Sequence, residues 1–384
     1  MNEHRTDDWD PRAPAVLDDQ IRAYDGMRRR CPVAHSKALQ WSLFRHRDVS
    51  QALHDPGTFG SEVSAHQAIP NGMDPPEHTG WRRLIEPYFG AAALAAAQPQ
   101  FQRDSRELLQ GLPAGVAIDW MERFAQDWAG RMLSGFMGWP AQLREPLRRW
   151  ARRNQAATLA ADRRAMAAIA FEFDGQIRAQ LDRCRSAGAQ ADDVTSRLLR
   201  ETIDGRPLAD AQIVSIVRNW TVGELATMAA SAGILAAFLA HRPALQERLR
   251  REPALLPAAI DEILRIDPPL IANRRILRRD AQLGGRRLAA GERLSLLWAS
   301  ANRDESVFGD PDEFRLDRDP QLNLLYGAGI HACPGAALAR LQLRVLMEIL
   351  LEEARLSPVA GRPGTRAPYP AGGFACLPLH VEPA

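Results

Sequence analysis

The chain has 384 residues, of which 46% are hydrophobic and 25% are charged, and this composition is ordinary for a globular protein. Its formal net charge of +2 indicates neither a nucleic-acid partner nor an anionic membrane surface. The four cysteines form no CxxC pair, which excludes zinc ribbons and thioredoxin-like redox motifs, and a disulfide framework is not expected in so large a chain.

The N-terminal segment, MNEHRTDDWDPRAP, is charged and contains proline, so it lacks the apolar core of a signal peptide. The longest apolar stretch, residues 229–240, is too short to span a bilayer. We therefore expect a cytoplasmic protein with no membrane partner.

Helical patterns dominate the chain, because apolar residues recur at spacings of three and four. The predicted helices are 92–112, 122–137, 141–187, 210–239, 243–250, 255–265 and 336–353. The segment 210–239 is apolar nearly all round, which is typical of a helix through the middle of a large core.

Strand-like segments are few and short. They are 39–44, 275–283, 294–298 and 377–381, and Gly284-Gly285 is a predicted hairpin turn. No internal repeat appears, and no linker rich in Pro, Gly or Ser divides the chain. Length alone would suggest two domains, but these patterns predict one mainly α domain over residues 1–384 with a small β region.

The most informative segment is residues 326–335, YGAGIHACPG, which precedes the last predicted helix. Gly327 and Gly329 lack a Cβ, so this backbone can lie flat against a large planar ligand. Cys333 comes just before the helix, and we expect Pro334 in the first helical turn. Unpaired amides and the helix dipole at that position would lower the pKa of the thiol and hold it as a thiolate.

Two other interpretations of this segment are weaker. A lone cysteine is usually a small buried side chain, but three glycines, a histidine and a cysteine in fixed register are not expected by chance. The spacing Gly327-x-Gly329-x-x-Ala332 also fits a dinucleotide-binding fingerprint. However, only 52 residues (384 − 332) follow Ala332, too few for the rest of a Rossmann sheet, and no alternation of strands and helices precedes it.

The loop resembles the haem-binding signature of the cytochrome P-450 family, with Tyr326 in place of the usual phenylalanine. Together with the motifs below, the resemblance extends from about Asp74 to Gly335. It implies a P-450-type helical fold, haem b (iron protoporphyrin IX) as the cofactor and Cys333 as the ligand of its iron. The signature glycines, Gly327 and Gly335 among them, are then expected beside the haem.

Glu262-Ile263-Leu264-Arg265 places a carboxylate and a guanidinium three residues apart on one helical face. Such a pair alone is ordinary on a protein surface. Its position, 71 residues (333 − 262) before the cysteine, is similar to that of the E-x-x-R pair of the family. The resemblance implies that Arg318 completes a structural triad with Glu262 and Arg265 beneath the haem.

Residues 74–83, DPPEHTGWRR, are similar to the segment that opens the family's helix behind the haem. The resemblance implies that His78 and Arg82 reach one haem propionate, and that Arg275 and His331 reach the other. Cationic and imidazole donors suit buried carboxylates. For each residue taken alone, a basic surface position is an equally good interpretation.

On the predicted helix 210–239, Thr227 stands where the family typically has the threonine of A-G-x-[DE]-T, which works with the adjacent acid to deliver protons. Here the preceding residue is Ala226, and the acid is Glu224. Glu224 and Thr227 are three residues apart and can still face one groove. Two interpretations stay open: Glu224 serves the relay from its shifted position, or no acid serves, and then either oxygen activation is slow or hydrogen peroxide is the real oxidant. A structural role also stays open, in which Thr227 only bonds the backbone four residues back and Glu224 is paired internally.

The resemblance further implies a monooxygenase that inserts one oxygen atom from O2 into a small or medium-sized hydrophobic substrate. Candidates for the pocket lining come from the segments that face the haem in the family. They are residues 61–70, Trp220, Gly223, Glu224 and residues 270–273, the last of which include Leu270, Ile271 and Asn273.

No fused flavin or iron–sulfur domain is evident, so the resemblance implies a monomer that receives electrons from a separate ferredoxin and ferredoxin reductase. Arg340 and Arg344, on the helix after Cys333, are candidate docking charges, although exposed arginines usually only solubilise a helix. Two alternative functions stay open: a haem-thiolate peroxygenase that uses hydrogen peroxide, and a non-enzymatic haem-binding sensor.

Overall fold

The computed structural model describes residues 7–64, 67–160, 162–187 and 193–384, and this part of the chain is mostly helical with a small β region. The helices are α1 (Pro14–Asp18), α2 (Gln20–Arg30), α3 (His46–His54), α4 (Glu77–Ile85), α5 (Ala91–Gln110), α6 (Gln126–Met137), α7 (Arg144–Leu159), α8 (Arg163–Ala187), α9 (Val194–Leu198), α10 (Asp210–Ala240), α11 (Pro243–Arg251), α12 (Leu256–Ile266), α13 (Trp298–Ala301), α14 (Glu305–Phe308) and α15 (Ala336–Glu353). The strands are β1 (Val33–Ser36), β2 (Gln40–Leu43), β3 (Phe59–Gly60), β4 (Ala117–Asp119), β5 (Thr202–Ile203), β6 (Arg206–Pro207), β7 (Ala272–Leu277), β8 (Ala281–Leu283), β9 (Arg286–Leu288), β10 (Arg293–Leu297), β11 (Ala354–Pro358), β12 (Thr365–Arg366), β13 (Phe374–Cys376) and β14 (Pro378–Pro383).

Helix α10 runs through the centre of the protein. Most of its 31 residues are buried, and it packs against α6, α8, α12 and α15. Small and branched apolar residues on all its sides explain this position, because a helix that is apolar all round must be covered all round. By length and composition α10 could cross a membrane, but 67% of its most apolar window is buried inside the protein. It is therefore the core helix of this fold.

The predicted helices are confirmed within a few residues at their ends, apart from one long segment and a π-helical turn at Met121–Ala125 that precedes α6. The predicted helix 141–187 is wrong, because the structure divides it into a short turn, α7 and α8. The Oδ1 atom of Asp162 accepts a hydrogen bond from the amide of Ala165 at 2.9 Å. An aspartate in this capping position starts a new helix where the apolar periodicity indicated continuity.

The largest sheet has five strands in the order β1-β2-β10-β7-β3. β2 and β10 pair in parallel, and the other neighbours are antiparallel. The predicted strand 275–283 is two strands, β7 and β8. The predicted hairpin turn is confirmed, because Gly284 and Gly285 join β8 to β9 with φ values of 53° and 77°. In the β7–β10 ladder Arg275 lies opposite Leu294, and this pairing holds Arg275 beside the site described below.

Buried apolar side chains form one large cluster and two smaller ones. The large cluster surrounds α10 and includes side chains of α5, α6, α8, α12 and α15. The second lies between the five-stranded sheet and α3, and the third joins α2 to the end of β10. Each fully buried large aliphatic or aromatic side chain contributes about 1.5–3 kcal/mol. The four cysteines are free, as the sequence predicts: Cys31, Cys184, Cys333 and Cys376.

Candidate active site around Cys333

The loop of residues 326–335 is a closed turn that presents Cys333. The amide of Cys333 donates a hydrogen bond to the carbonyl oxygen of Tyr326 at 2.8 Å. Gly327 and Gly329 have φ values of 70° and 68°, in the left-handed region that favours glycine. A Cβ on Gly329 would also lie 2.2 Å from the carbonyl oxygen of Leu53. The approach of α3, and not only a flat ligand, therefore requires a glycine at this position.

The Cys333 side chain is exposed, although protein atoms surround most of its sulfur. Burial raises the pKa of its thiol, while the amide of Gly335 and the charges of Arg82 and Arg340 act in the opposite direction. The predicted low pKa is therefore wrong for the free thiol. A thiolate at Cys333 needs an additional positive partner, such as a metal ion.

The start of α15 explains this difference from the prediction. The helix begins at Ala336, and Gly335 occupies the N-cap position. Pro334 therefore lies outside the first helical turn, and Cys333 is separated from that turn by two residues. The amide that reaches the sulfur belongs to Gly335 in the connecting turn.

Two histidines and an arginine converge next to the cysteine loop. The rings of His78, on α4, and His331 have centroids 4.5 Å apart. Nε2 of His78 is buried and has no hydrogen-bond partner among the described residues. Burial, and after it the charge of Arg275, lower the pKa of His331 to about 4. The group therefore offers one cation and two neutral imidazoles at pH 7, a set that suits a carboxylate-bearing ligand.

A buried aspartate organises these donors. The carboxylate of Asp74 accepts hydrogen bonds from the amide of Ser61 at 2.8 Å and from the guanidinium of Arg278 at 2.9 Å. It also lies 3.5 Å from Nε2 of His331, and that nitrogen lies 2.8 Å from Oγ of Ser61. The roles of Asp74 and Arg278 are not evident from the sequence, because no local pattern marks an ion pair between residues 204 positions apart.

Arg82 lies one helical turn after His78 on α4. Its Nε donates to Oε1 of Glu86 at 2.9 Å. Its charge still reaches the thiol of Cys333, whose pKa it lowers. Arg82 is thus close to the site, with part of its guanidinium engaged by Glu86.

The structure brings the three predicted structural residues together. The carboxylate of Glu262 accepts two hydrogen bonds from Arg265, at 2.7 and 2.9 Å, and one from Arg318 at 2.9 Å. Arg265 also donates to the carbonyl oxygens of Asn302 at 2.7 Å and Pro311 at 3.0 Å. These bonds connect α12 to the segment before the cysteine loop. They are strong because the carboxylate and both arginine side chains are largely buried.

On α10, the side chains of Thr227 and Glu224 have different partners. The hydroxyl of Thr227 donates to the carbonyl oxygen of Gly223, the backbone bond that the sequence left open. The carboxylate of Glu224 accepts a hydrogen bond from Nε2 of Gln342, on α15, at 2.7 Å. Burial raises the pKa of Glu224 to about 7, and the Gln342 amide acts against this rise. The charge of Glu224 in turn raises the pKa of the Cys333 thiol.

A cavity of about 250 Å³ lies between α10, α7 and the C-terminal strands. The α10 side of its wall is mostly apolar, and Val222, Ala226 and Thr227 belong to it. Leu270, one of the predicted lining residues, also belongs to the wall, whereas Arg148 and Arg152 of α7 contribute its cationic part. The cavity therefore suits a ligand that is mainly apolar.

Two predicted lining residues lie in the core instead. Trp220 packs in an aromatic cluster, with its ring centroid 5.5 Å from that of Tyr88 and 5.2 Å from that of Phe89. Ile271 is 3% exposed and belongs to the third apolar cluster. In both cases a large apolar side chain gains more from close packing than from a place on a cavity wall.

The remaining predicted lining positions lie apart from this cavity. Gly223 and Asn273 are exposed but do not line it. In the predicted segment 61–70, Ser61 contacts His331 and Ile69 is fully buried. Residues 65 and 66 of that segment lie outside the described residues.

The donors of the site fit a porphyrin that carries propionates. Among the described residues, no group of three or more His, Cys, Asp or Glu side chains could hold a metal ion. The unpartnered Nε2 of His78 and the guanidinium of Arg275 are suited to the propionates of a porphyrin.

Known proteins resemble this chain over most of its length. The family model described as cytochrome P-450 matches residues 139–380. The chain is 32% identical over 356 residues to cyclomarin C epoxidase CymV of Salinispora arenicola. This alignment covers 88% of this chain and 89% of that protein. It is 28% identical over 333 residues to linalool 8-monooxygenase of Pseudomonas putida, covering 81% and 82% of the two chains. The crystal structure of CalO2 superposes with a TM-score of 0.86 at 29% identity, covering 98% of this chain and 99% of that one.

Proposed function

The chain belongs to the cytochrome P-450 family, and on that premise we propose that it inserts one atom of O2 into a small or medium-sized hydrophobic substrate with electrons from a ferredoxin. It is a haem-thiolate monooxygenase whose curated relatives are bacterial. The observation that carries the proposal is the accessible thiol of Cys333 beside a cluster of donors for carboxylates. We propose that residues 1–384 form one domain with this activity.

Haem b is the proposed form of the cofactor. The sulfur of Cys333 would bind its iron, with Gly327 and Gly335 beside the ring. When bound, the haem supplies the redox and oxygen-activating chemistry of the reaction, which a thiolate ligand favours. Four side chains would hold the propionates: His78, Arg82, Arg275 and His331. The position of Arg275 and of the two histidines around Asp74 supports this assignment.

Thr227 and Glu224 are the proposed proton-handling residues. Thr227 lines the cavity, so its hydroxyl can contact a ligand there. Glu224 has a pKa of about 7, and a group with a pKa near the working pH both releases and accepts protons efficiently. The Glu224 carboxylate is hydrogen-bonded to Gln342, and we propose that it handles protons from this hydrogen-bonded position.

The cavity supports the proposed substrate class. Its volume of about 250 Å³ is close to the lower limit of about 300 Å³ for pockets that bind small molecules. Its α10 wall is mostly apolar, so it favours contact with an apolar part of a substrate. Leu270 belongs to this cavity wall, and Trp220, Gly223, Ile271 and Asn273 stay proposed lining residues of the haem-facing pocket.

Electron delivery is proposed to come from a ferredoxin and its reductase, to a monomeric, cytoplasmic protein. Arg340 and Arg344 lie on α15 and are 49% and 37% exposed. Each already has an internal partner, Asp261 at 2.8 Å and Glu348 at 2.9 Å. Because such surface pairs are weak, both arginines remain able to attract an acidic partner.

Turnover with isotopically labelled O2 tests the proposal against its alternatives. Holoprotein, ferredoxin, its reductase and a reduced nicotinamide are incubated with hydrophobic compounds that perturb the haem spectrum on binding. We expect products that carry one labelled oxygen atom. Faster product formation with hydrogen peroxide alone would favour a peroxygenase. Ligand-dependent spectra without product from either oxidant would favour a haem-binding sensor.

A further inference from the structure

Gln342 is a buried amide on α15, and its one described side-chain partner is Glu224. The residue is 0% exposed, and its Nε2 donates to Oε1 of Glu224 at 2.7 Å. Its own Oε1 is buried and has no hydrogen-bond partner among the described residues. A buried carbonyl oxygen without a partner destabilises a fold, so an apolar side chain of the same size would pack better at this position. Packing alone therefore does not explain a glutamine at position 342.

The Glu224–Gln342 pair connects the two helices on which the site depends. Glu224 lies three residues before Thr227 on α10. Gln342 lies nine residues (342 − 333) after Cys333, on the helix that follows the cysteine loop. The hydrogen bond therefore joins the helix of the proposed proton-handling residues to the helix that follows the proposed iron ligand.

We propose that Gln342 is a positioning residue that holds the carboxyl of Glu224 against α15. The inference rests on the proposed function, in which Glu224 handles protons. The hydrogen bond from the Gln342 amide holds the Glu224 side chain in one rotamer. Without it, the Glu224 side chain has several staggered alternatives, including some that point away from α15. A hydrogen bond donated to the carboxylate also favours its charged form, in opposition to burial. Gln342 therefore acts on the reaction through Glu224.

The variant Gln342→Met tests this role, because methionine is similar in size and flexible but has no amide. Gln246→Met is the matched control. Gln246 is also buried, at 4% exposure, and its amide donates to the carbonyl oxygens of Leu239 at 2.9 Å and Leu356 at 2.8 Å. Both variants lose buried hydrogen bonds, but only Gln342→Met alters the surroundings of Glu224. If Gln342→Met does not fold, Gln342→Asn withdraws the donor by one methylene and keeps a polar side chain.

The first measurement is the infrared carboxyl band of Glu224 in substrate-free holoprotein, identified by subtraction of the spectrum of Glu224→Gln. We expect this band to shift in Gln342→Met and to stay in place in Gln246→Met. The second is product formed per O2 consumed, which we expect to fall about tenfold in Gln342→Met, less than the roughly 10²–10⁴-fold contribution of a direct acid or base, because Gln342 acts through Glu224. The KM for substrate should change by less than about twofold, because the amide does not act on substrate binding.

The two measurements separate the inference from the function on which it rests. An unshifted Glu224 band in Gln342→Met would overturn the positioning role, whatever the turnover. A shifted band, with product per O2 unchanged in both Gln342→Met and Glu224→Gln, would keep the hydrogen bond but reject proton handling by Glu224. A loss of product per O2 in Gln246→Met equal to that in Gln342→Met would reduce Gln342 to a structural residue.

Discussion

Replacement of Glu262 by glutamine is expected to destabilise the fold severely. Glu262 balances two arginines, and Arg265 is 1% exposed. Glutamine has the same shape but no charge, so it leaves buried guanidinium charge uncompensated. Removing one partner of a buried ion pair costs about 3–5 kcal/mol. With an unfolding entropy of about 2.1 cal/mol/K per residue, each kcal/mol lowers the Tm of a 384-residue chain by roughly 1.2 °C, or about 4–6 °C in total.

Thermal unfolding followed by circular dichroism measures this change, at one scan rate for all samples because large proteins often unfold irreversibly. Glu172→Gln is the matched control. Glu172 pairs with Arg153 at 2.7 Å, the same distance as in the Glu262–Arg265 pair, but these side chains are 43% and 47% exposed. Exposed pairs contribute less than about 1 kcal/mol, so the control should unfold within about 1 °C of the parent. Equal Tm values for Glu262→Gln and the control would refute the reasoning from buried charge.

Three further predictions follow from single contacts. The pKa of Glu224 is about 7 in the folded chain against an ordinary 4.5. Between these pH values the folded state keeps a proton that the unfolded state has released. The free energy of unfolding therefore falls by up to about 3 kcal/mol as the pH rises from 4.5 to 7. Urea unfolding at several pH values should show that Glu224→Gln lacks this loss, and identical pH slopes would reject the raised pKa. Gly329→Ala should retain less haem after purification than Gly327→Ala, because both have a positive φ but only the alanine at 329 would meet Leu53; equal haem content would count against that contact. Arg344→Glu should raise the KM for ferredoxin more at low salt than at high salt, with the substrate Kd unchanged, and a salt-independent effect would exclude electrostatic docking.

The cysteine loop could be interpreted from sequence because its chemistry lies within ten consecutive residues, 326–335. The central and last long helices were equally predictable, since continuous apolar patterns define α10 and α15. The position of Cys333 before the start of α15 was not enough to predict the pKa of its thiol. The thiol is governed by burial, and burial depends on the whole fold.

The contacts that surround the site escaped prediction because they join distant parts of the chain. Asp74 and Arg278 are 204 positions apart, and Glu224 and Gln342 are 118 apart. No periodicity or short motif records such pairs. The predicted lining segments show a related limit, because a segment can reach the site while an individual side chain, such as that of Trp220, packs in the core.

The carbon monoxide spectrum of the reduced holoprotein is the most direct measurement of Cys333 as the iron ligand. Coordination by its thiolate predicts a strongly red-shifted Soret band in the parent protein and the loss of that band in Cys333→Ser. A band typical of histidine-ligated haem in native, active parent protein, or an unchanged red-shifted band in Cys333→Ser, would contradict coordination by Cys333.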